Sequence, residues 1–297
     1  MRFDDGTGLR DIVGHVRRAD PAEGLLVERR DGELVPIPSG TVRFLRVVPD
    51  RPLRRRPAAR ISPEDLMRVA SRGWPAIESV RLGDWELRAS GGFTGRANSV
   101  ATHGDPGTDD PIGAVTRFYV ERGLPPVAQV VVGSSAERLF TRAGWRPLDG
   151  PSSGAIVQVA DLVDPPPADP DAVVADQASD LWLRHYGKVD DPDPDLARAV
   201  LEAPETVGFV SIGDVAIGRV VVTGEWAGLA AIEVDPDHRR RGLGRRVVRT
   251  CLAWAAEHGA DKAYLQVHDQ NAASLALHAA FGFVDHHAYR HLTPARA

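Results

Sequence analysis

Short β-like runs of apolar residues, separated by polar residues and turn signals, predict that the first part of the chain is built from β-strands. Runs at residues 12–17, 25–30, 34–37 and 42–48 are β-like, and Asp31-Gly32, a pair typical of hairpin turns, separates the second from the third. Four or five strands within residues 1–56 predict a small β-barrel. A stretch rich in proline and arginine at 51–57 is predicted to be a linker.

Residues 60–162 form a second block, in which helical and strand patterns alternate. Ser62-Pro63-Glu64-Asp65 predicts a helix start, because serine caps a helix N-terminus and proline fits its first position. The block contains predicted strands at 85–89, 98–102 and 127–132, and predicted helices at 110–121 and 135–143. A second linker, rich in proline, follows at 164–167.

Residues 170–297 form a third block, in which a meander of β-branched strands precedes alternating helices and strands. Its predicted helices lie at 180–188, 196–203, 242–258 and 273–281, and its predicted strands at 206–212, 215–223, 228–234, 263–267 and from 283 onward. This order predicts a mixed α+β or α/β fold, in which helices cover a mixed sheet. Residues 139–145 and 277–283 also share a helix end, a glycine and an aromatic residue, which predicts a duplicated domain.

Composition excludes several classes of protein. The formal charge is -5 and the sequence pI is about 6.1, which argues against a nucleic-acid coat. The sequence has no run of 18 apolar residues and no apolar leader at its start, so we expect a soluble cytoplasmic protein without a membrane partner. Cys251 is the one cysteine, which excludes an internal disulfide and a cysteine-based metal site, and no metal is expected.

Arginine is used unusually often. Of 36 basic residues, all but Lys188 and Lys262 are arginine. A genome that favours arginine codons explains most of this excess, whereas some arginines could be placed to hold phosphate. Five of them lie between 239 and 246, in a turn that leads into a predicted helix. Gly242 and Gly244 let backbone N–H groups approach a ligand in this turn, and the helix N-terminus attracts anions.

The spacing around this turn resembles the acetyl-coenzyme-A loop of the GCN5-related N-acetyltransferase (GNAT) family. A strand, Val-x-Pro, Arg-x-x-Gly-x-Gly and a long amphipathic helix follow one another between 228 and 258. The run Asn271-x-x-Ser274-x-x-Leu277-His278-x-x-x-Gly282-Phe283 resembles the second motif of the family. Neither a P-loop nor a dinucleotide fingerprint fits the same glycines. The resemblance covers about 171–291.

The resemblance implies the GNAT fold, whose mixed sheet splays between two parallel strands, here 228–234 and 263–267, and acetyl-CoA as the co-substrate. The pantetheine arm would pair with the backbone of Ile232 and Val234, and Asn271 would contact the arm or the thioester. The diphosphate would lie on the turn formed by Arg239, Arg240, Arg241, Gly242, Leu243, Gly244 and Arg245. The acetyl group would then pass directly to an amine, without a covalent enzyme intermediate.

Two proton transfers need residues of their own. Many relatives place a tyrosine where this chain has His278; a protonated imidazole could give the leaving thiolate its proton, or the ring could only pack beside the ligand. Some relatives that acetylate protein N-termini carry a glutamate where this chain has Gln266, which cannot take a proton. Glu233 is therefore the candidate base, with His268 and a chain of water molecules as alternatives.

The whole chain resembles a group of actinobacterial acetyltransferases. The resemblance implies three domains: an SH3-like β-barrel at 1–56, a degenerate GNAT-like domain at 60–162 and a catalytic GNAT domain at 170–297. The middle block lacks an Arg-x-x-Gly-x-Gly motif between 92 and 127, and we hypothesise that its Arg96, Asn98 and Ser99 face the acceptor. An acidic loop at 190–195 would attract a cationic amine to the same site, or it is only a loop exposed to solvent.

The predicted function is that of an acetyl-CoA-dependent N-acetyltransferase acting on a primary amine of a small molecule or an amino acid, as a monomer or homodimer. Two alternatives stay open. One is a protein acetyltransferase, acting on lysine or N-terminal amines, that docks its partner through the SH3-like domain. The other is a regulatory protein that binds acyl-CoA with little catalysis. Gln266 and His278 differ from the residues of the relatives at these positions, which keeps this alternative open.

Overall fold

The chain forms two compact units, Met1–Arg55 and Arg56–Ala297. The computed structural model describes residues 1–29, 31–45, 57–150, 153–186 and 193–295. Residues 51–56 of the first predicted linker and 190–192 of the predicted acidic loop lie outside the described residues.

The first unit contains two three-stranded antiparallel sheets. Its strands are β1 (Arg2–Asp4), β2 (Leu9–Asp11), β3 (Gly14–Asp20), β4 (Gly24–Arg29), β5 (Leu34–Ile37) and β6 (Val42–Phe44), in the orders β2-β1-β6 and β3-β4-β5. The predicted hairpin joins β4 to β5, and Gly32 takes a φ of 87° in its turn, a conformation that glycine adopts without strain. Ile12, Val27 and Ile37 form the buried core of the unit. That these sheets make an SH3-like barrel stays a prediction.

A twelve-stranded mixed sheet forms the second unit, which confirms the mixed fold predicted from the sequence. Its strands are β7 (Glu78–Leu82), β8 (Trp85–Ala89), β9 (Val100–Ala101), β10 (Ala128–Val131), β11 (Trp145–Pro147), β12 (Gly154–Asp161), β13 (Ala172–Ala175), β14 (Val207–Ile212), β15 (Ala216–Thr223), β16 (Trp226–Val234), β17 (Lys262–Val267) and β18 (Val284–Pro294). The path through the sheet is β13-β14-β15-β16-β17-β12-β18-β10-β9-β8-β7, and β11 pairs with β18.

The two blocks of this unit exchange their last strands. β12 ends the middle block, yet it lies between β17 and β18 of the C-terminal block, with Ile156 opposite Val267 on one side and Ala288 on the other. β18 ends the C-terminal block and lies between β12 and β10. Domains at 60–162 and 170–297 stay a prediction, and a cut between them would remove one strand from each half of the sheet.

Helices lie against this sheet. They are α1 (Pro63–Gly73), α2 (Pro111–Val120), α3 (Ser135–Arg142), α4 (Asp180–His185), α5 (Pro194–Leu201), α6 (Leu243–Glu257) and α7 (Ala272–Ala279). The predicted start of α1 is confirmed, since the Ser62 hydroxyl accepts a 3.1 Å hydrogen bond from the Asp65 N–H. The strand predicted at 98–102 is only the short β9, because residues 96–98 form a 3-10 turn. Within the described ranges, every helix is too short or too polar to cross a membrane.

α1 packs on strands from both halves of the sheet. Its Leu66 lies in one buried cluster with Val159 of β12, Trp226 of β16, Tyr264 of β17 and Tyr289 of β18. The helix therefore belongs to the core of the C-terminal block as much as to that of the middle block.

We expect Gly73→Ala to lower the free energy of unfolding by about 1–3 kcal/mol, because the new methyl group overpacks the core. A Cβ at Gly73, the last residue of α1, would overlap the hydroxyl oxygen of Tyr264, while its next neighbours would be 3.7 Å or more away. Tyr264 is buried, so its ring has no room to turn aside. Tyr264→Phe removes the overlapping oxygen atom, so the double variant should regain most of the stability that Gly73→Ala alone loses.

Urea unfolding followed by tryptophan fluorescence measures this double-mutant cycle. All six tryptophans lie between residues 74 and 254, so the signal reports the second unit. If the double variant loses as much stability as the two single variants together, the contact between Gly73 and Tyr264 does not affect stability.

Candidate active site

β16 and β17 run parallel and then separate. Their ladder pairs residues 226–229 with 262–265 and ends there. Ala231 takes a φ of 52°, and the register of β16 against β15 shifts between Ile217 and Arg219, which marks a β-bulge. A bulge bends its strand, so the end of β16 turns away from β17 and the sheet opens where the sequence predicts the splay.

The turn after β16 presents backbone N–H groups at this opening. Residues Pro236–His238 form a short 3-10 helix, and Gly242, at a φ of 79°, begins α6. No side chain of the described residues caps this start, so the first N–H groups of α6 are left for another partner. An anion is the partner that suits them.

A cleft of about 790 Å³ lies between this turn and α7. Nine of the ten residues predicted to bind acetyl-CoA line it: Ile232, Val234, Arg239, Arg240, Gly242, Leu243, Gly244, Arg245 and Asn271. Asn271 also caps α7, accepting a 3.0 Å hydrogen bond from the Ser274 N–H. The cleft combines uncapped N–H groups, guanidinium groups and an apolar strand end, a set of groups that fits a diphosphate attached to a pantetheine arm.

Three arginines of the turn have partners within the protein. Nε of Arg239 donates a 3.1 Å hydrogen bond to the Val234 carbonyl, and this side chain also lines the cleft. Nη2 of Arg241 donates a 3.1 Å hydrogen bond to the Asp237 carbonyl, and this side chain does not line the cleft. Arg246 forms ion pairs of 2.7 Å with Asp169 and 2.6 Å with Asp171, and it holds the pKa of the Asp169 carboxyl down at about 2. Of the five arginines between 239 and 246, Arg246 therefore does not line the cleft, and it ties α6 to residues 169–171.

A second cavity, of about 330 Å³, adjoins the opening. It shares Ile232, Glu233, Asn271 and Ser274 with the cleft, so the two spaces meet where the strands separate. Part of its wall is aromatic and comes from three distant segments: Trp74, Tyr186 and Tyr289. Sequence reasoning did not find these three residues, because no local motif surrounds them.

His278 lies on α7 and lines this second cavity, with 4% of its surface exposed. Its Nδ1 is 3.4 Å from the Ser274 hydroxyl, and its buried Nε2 has no hydrogen-bond partner among the described residues. Burial lowers the pKa of the ring to about 4. The ring is therefore neutral near pH 7, so it can offer the leaving thiolate a neutral N–H donor rather than the imidazolium expected from the sequence.

The Gln266 amide and the two candidate bases, His268 and Glu233, occupy different places. Gln266 uses its Oε1 to accept hydrogen bonds of 3.0 Å from Arg96 Nη1 and from the Tyr289 hydroxyl, so it joins the two blocks. His268 lines the second cavity with Nε2 3.4 Å from Ser153 Oγ. Glu233 lines both the cleft and the cavity, which places a carboxylate where the two spaces meet.

Of the three middle-block residues expected to face the acceptor, Arg96 lines the second cavity. Asn98 is 8% exposed, and its Oδ1 accepts hydrogen bonds from the N–H groups of Ser90 and Gly92. Ser99 is fully buried and accepts a 3.1 Å hydrogen bond from Arg88. The expectation is wrong for Asn98 and Ser99, whose polar groups are used inside the fold.

Comparison with known proteins identifies the arrangement. A family model described as "Probable histone acetyltransferase Rv0428c C-terminal" matches residues 64–292. The chain belongs to this family of GNAT N-acetyltransferases. A relative from Mycobacterium tuberculosis named "Probable histone acetyltransferase Rv0428c" is 30% identical, over 97% of this chain and 90% of its own.

Two further matches extend this result. "Uncharacterized N-acetyltransferase YobR" of Bacillus subtilis is 27% identical, over 75% of this chain and 96% of its own. A solved structure, the GCN5-related N-acetyltransferase from Kribbella flavida, has the same fold with a TM-score of 0.55 at 14% identity, over 81% of this chain and 96% of its own. GNAT enzymes use acetyl-CoA, and the groups that line the cleft suit it.

Proposed function

We propose that this GNAT enzyme transfers the acetyl group of acetyl-CoA directly to a primary amine of a small molecule such as an amino acid. One observation carries the proposal: the cleft and the second cavity share four residues at the opening of the sheet, so a donor and an acceptor can approach each other there. The cavity has about 330 Å³, the lower end of the volumes typical of small-molecule sites.

The residues of the cleft bind and orient the donor. Arg239, Arg240 and Arg245 would hold the diphosphate together with the first N–H groups of α6. The backbone of Ile232 and Val234, on the part of β16 beyond its ladder with β17, would pair with the pantetheine arm. Acetyl-CoA supplies the acetyl group and a thiolate leaving group.

Glu233, where the two spaces meet, would accept a proton, and His278, on the wall of the second cavity, would stabilise the leaving sulfur. An alkyl amine has a pKa of about 10 and must lose a proton before it attacks, and Glu233 can accept that proton directly or through water. His278, neutral at pH 7, can direct an N–H donor at the sulfur as its charge develops. Cys251 is fully buried and burial raises the pKa of its thiol to about 12, which disfavours a covalent route through this residue.

The proposal is tested by thiol release over a panel of small amines, amino acids and peptides. We expect Glu233→Gln to lower kcat by about 100-fold or more, the range typical of a lost general base, with little change in acetyl-CoA affinity. Glu257→Gln, at the exposed end of α6, is the matched control and should keep full activity. Unchanged kcat in Glu233→Gln would remove that residue from the mechanism.

The same panel separates the alternatives. The relative from Mycobacterium tuberculosis is named a probable histone acetyltransferase, so the panel includes a lysine-rich peptide and a peptide with a free N-terminus. Turnover of these peptides alone would favour protein acetylation. Tight acetyl-CoA binding without thiol release from any acceptor would favour a regulatory role.

A further inference from the structure

We propose that the acceptor carries a carboxylate as well as its amine, and that Arg96 binds this carboxylate. The inference rests on the proposed function, because it concerns the acceptor of the same site. It gives the middle block a role in the reaction: this block lacks a phosphate turn of its own but supplies the residue that selects the acceptor.

Arg96 reaches the acceptor cavity from a firmly held turn. It begins the 3-10 turn at 96–98, and Asn98 closes that turn with hydrogen bonds of 2.7 Å from Ser90 N–H and 3.0 Å from Gly92 N–H. The guanidinium carbon lies 4.1 Å from the centre of the Trp74 ring, and Nη1 donates to Gln266 Oε1. Stacking and one hydrogen bond therefore fix the plane of the guanidinium at the cavity wall.

The charge of Arg96 is not paired with any carboxylate of the described residues. In the part of the chain that the structure describes, no carboxylate lies within ion-pair distance of Arg96, and its one hydrogen bond goes to a neutral amide. Arg219 adds a second positive charge, 4.7 Å from the centre of the same Trp74 ring, and its hydrogen bonds go to the carbonyls of Leu201 and Gly73. Half-buried positive charge of this kind favours an anionic ligand.

The cavity also contains a group for the other end of an amino acid. Glu233 lines it from β16, whereas Arg96 lines it from the middle block. A carboxylate can attract the ammonium group, and the planar fork of arginine matches a ligand carboxylate with two parallel hydrogen bonds. A small molecule that carries both groups can contact both residues, whereas a simple amine would bring no counter-charge to Arg96.

Matched acids and amides test the inference. The probes are the free amino acids and their carboxamides, which differ in the carboxylate, and the readout is the ratio of kcat/KM for each pair. We expect the wild type to prefer the acid by about 100-fold, the size of a charged hydrogen-bonded pair. Arg96→Gln should lower this ratio by a similar factor through KM for the acceptor, with KM for acetyl-CoA unchanged, and Arg96→Lys should restore part of it.

Two controls make the outcome decisive. Arg117→Gln, at an exposed arginine of α2 that pairs with Asp110, should leave the ratio unchanged. If no acceptor releases thiol, the proposed function is wrong, but the inference can still be tested. Calorimetry then measures how tightly the same acids and amides bind to the complex of the protein with CoA. The inference is overturned if the wild type shows the same kcat/KM, or the same affinity, for acids and for amides. It is also overturned if Arg96→Gln prefers acids as strongly as the wild type does.

Discussion

Replacing Gly244 with glutamate is expected to abolish acetyl-CoA binding while the protein stays folded. A side chain fits at this position, since a Cβ would lie 3.4 Å from Leu277 and 3.8 Å from Val234, both ordinary contacts. A glutamate in the first turn of α6 also interacts favourably with the helix dipole. Its carboxylate would, however, enter the cleft where Arg239 and Arg245 are proposed to hold the diphosphate, and it would repel that group.

We expect the dissociation constant for acetyl-CoA to rise at least 100-fold, which is about 2.7 kcal/mol, as measured by isothermal titration calorimetry. Gly244→Ala adds the Cβ without the charge and is expected to have a much smaller effect. Gly40→Glu adds the same charge at a glycine of the first unit with open space around it, and should leave binding unchanged. Wild-type affinity in Gly244→Glu, or an equal loss in Gly40→Glu, would contradict the proposed phosphate turn.

The cleft beside the arginine-rich turn could be predicted because its signals are continuous in the sequence. A strand end, an arginine-rich turn, two glycines and a helix start follow one another, and their spacing alone places N–H groups and positive charge together. The role of Arg246 could not be predicted in this way. It faces Asp169 and Asp171, and that pairing depends on how the chain folds back on α6 rather than on any local pattern.

The lining of the second cavity could not be predicted in the same way. Trp74 and Arg96 belong to the middle block, and they reach the cavity because α1 and the 96–98 turn pack against β15 to β17. The neutral state of His278 likewise follows from its burial, which the sequence pattern does not measure. The exchange of β12 and β18 is also invisible locally, because a strand shows the same alternation whichever strand it pairs with.

Two buried arginines differ from those of the turn before α6. Arg88 and Arg219 are 2% and 1% exposed, so neither is placed to bind a phosphate. Among the described residues, both give their hydrogen bonds to neutral oxygen atoms. Burial lowers the pKa of Arg219 to about 9, which still leaves it charged near pH 7. These arginines are part of the buried core of the second unit.

Arg88→Met is therefore expected to lower the free energy of unfolding of the second unit by about 3 kcal/mol or more. The guanidinium donates from Nε to the Ser99 carbonyl, from Nη1 to the Ser71 hydroxyl and from Nη2 to Gln129 Oε1, at 2.7 to 3.1 Å. Methionine fills much of the same volume but leaves these acceptors unpaired in the interior, and each unpaired group costs about 1–3 kcal/mol.

Urea unfolding followed by tryptophan fluorescence measures the loss, and Arg142→Met, at the exposed end of α3, is the matched control. Ser99 follows the turn that carries Arg96, so the same variant should also weaken the preference for a carboxylated acceptor under conditions where it is still folded. A loss no larger than that of Arg142→Met would mean that the buried hydrogen bonds of Arg88 contribute no net stability, and that a well-packed apolar side chain serves this position equally well.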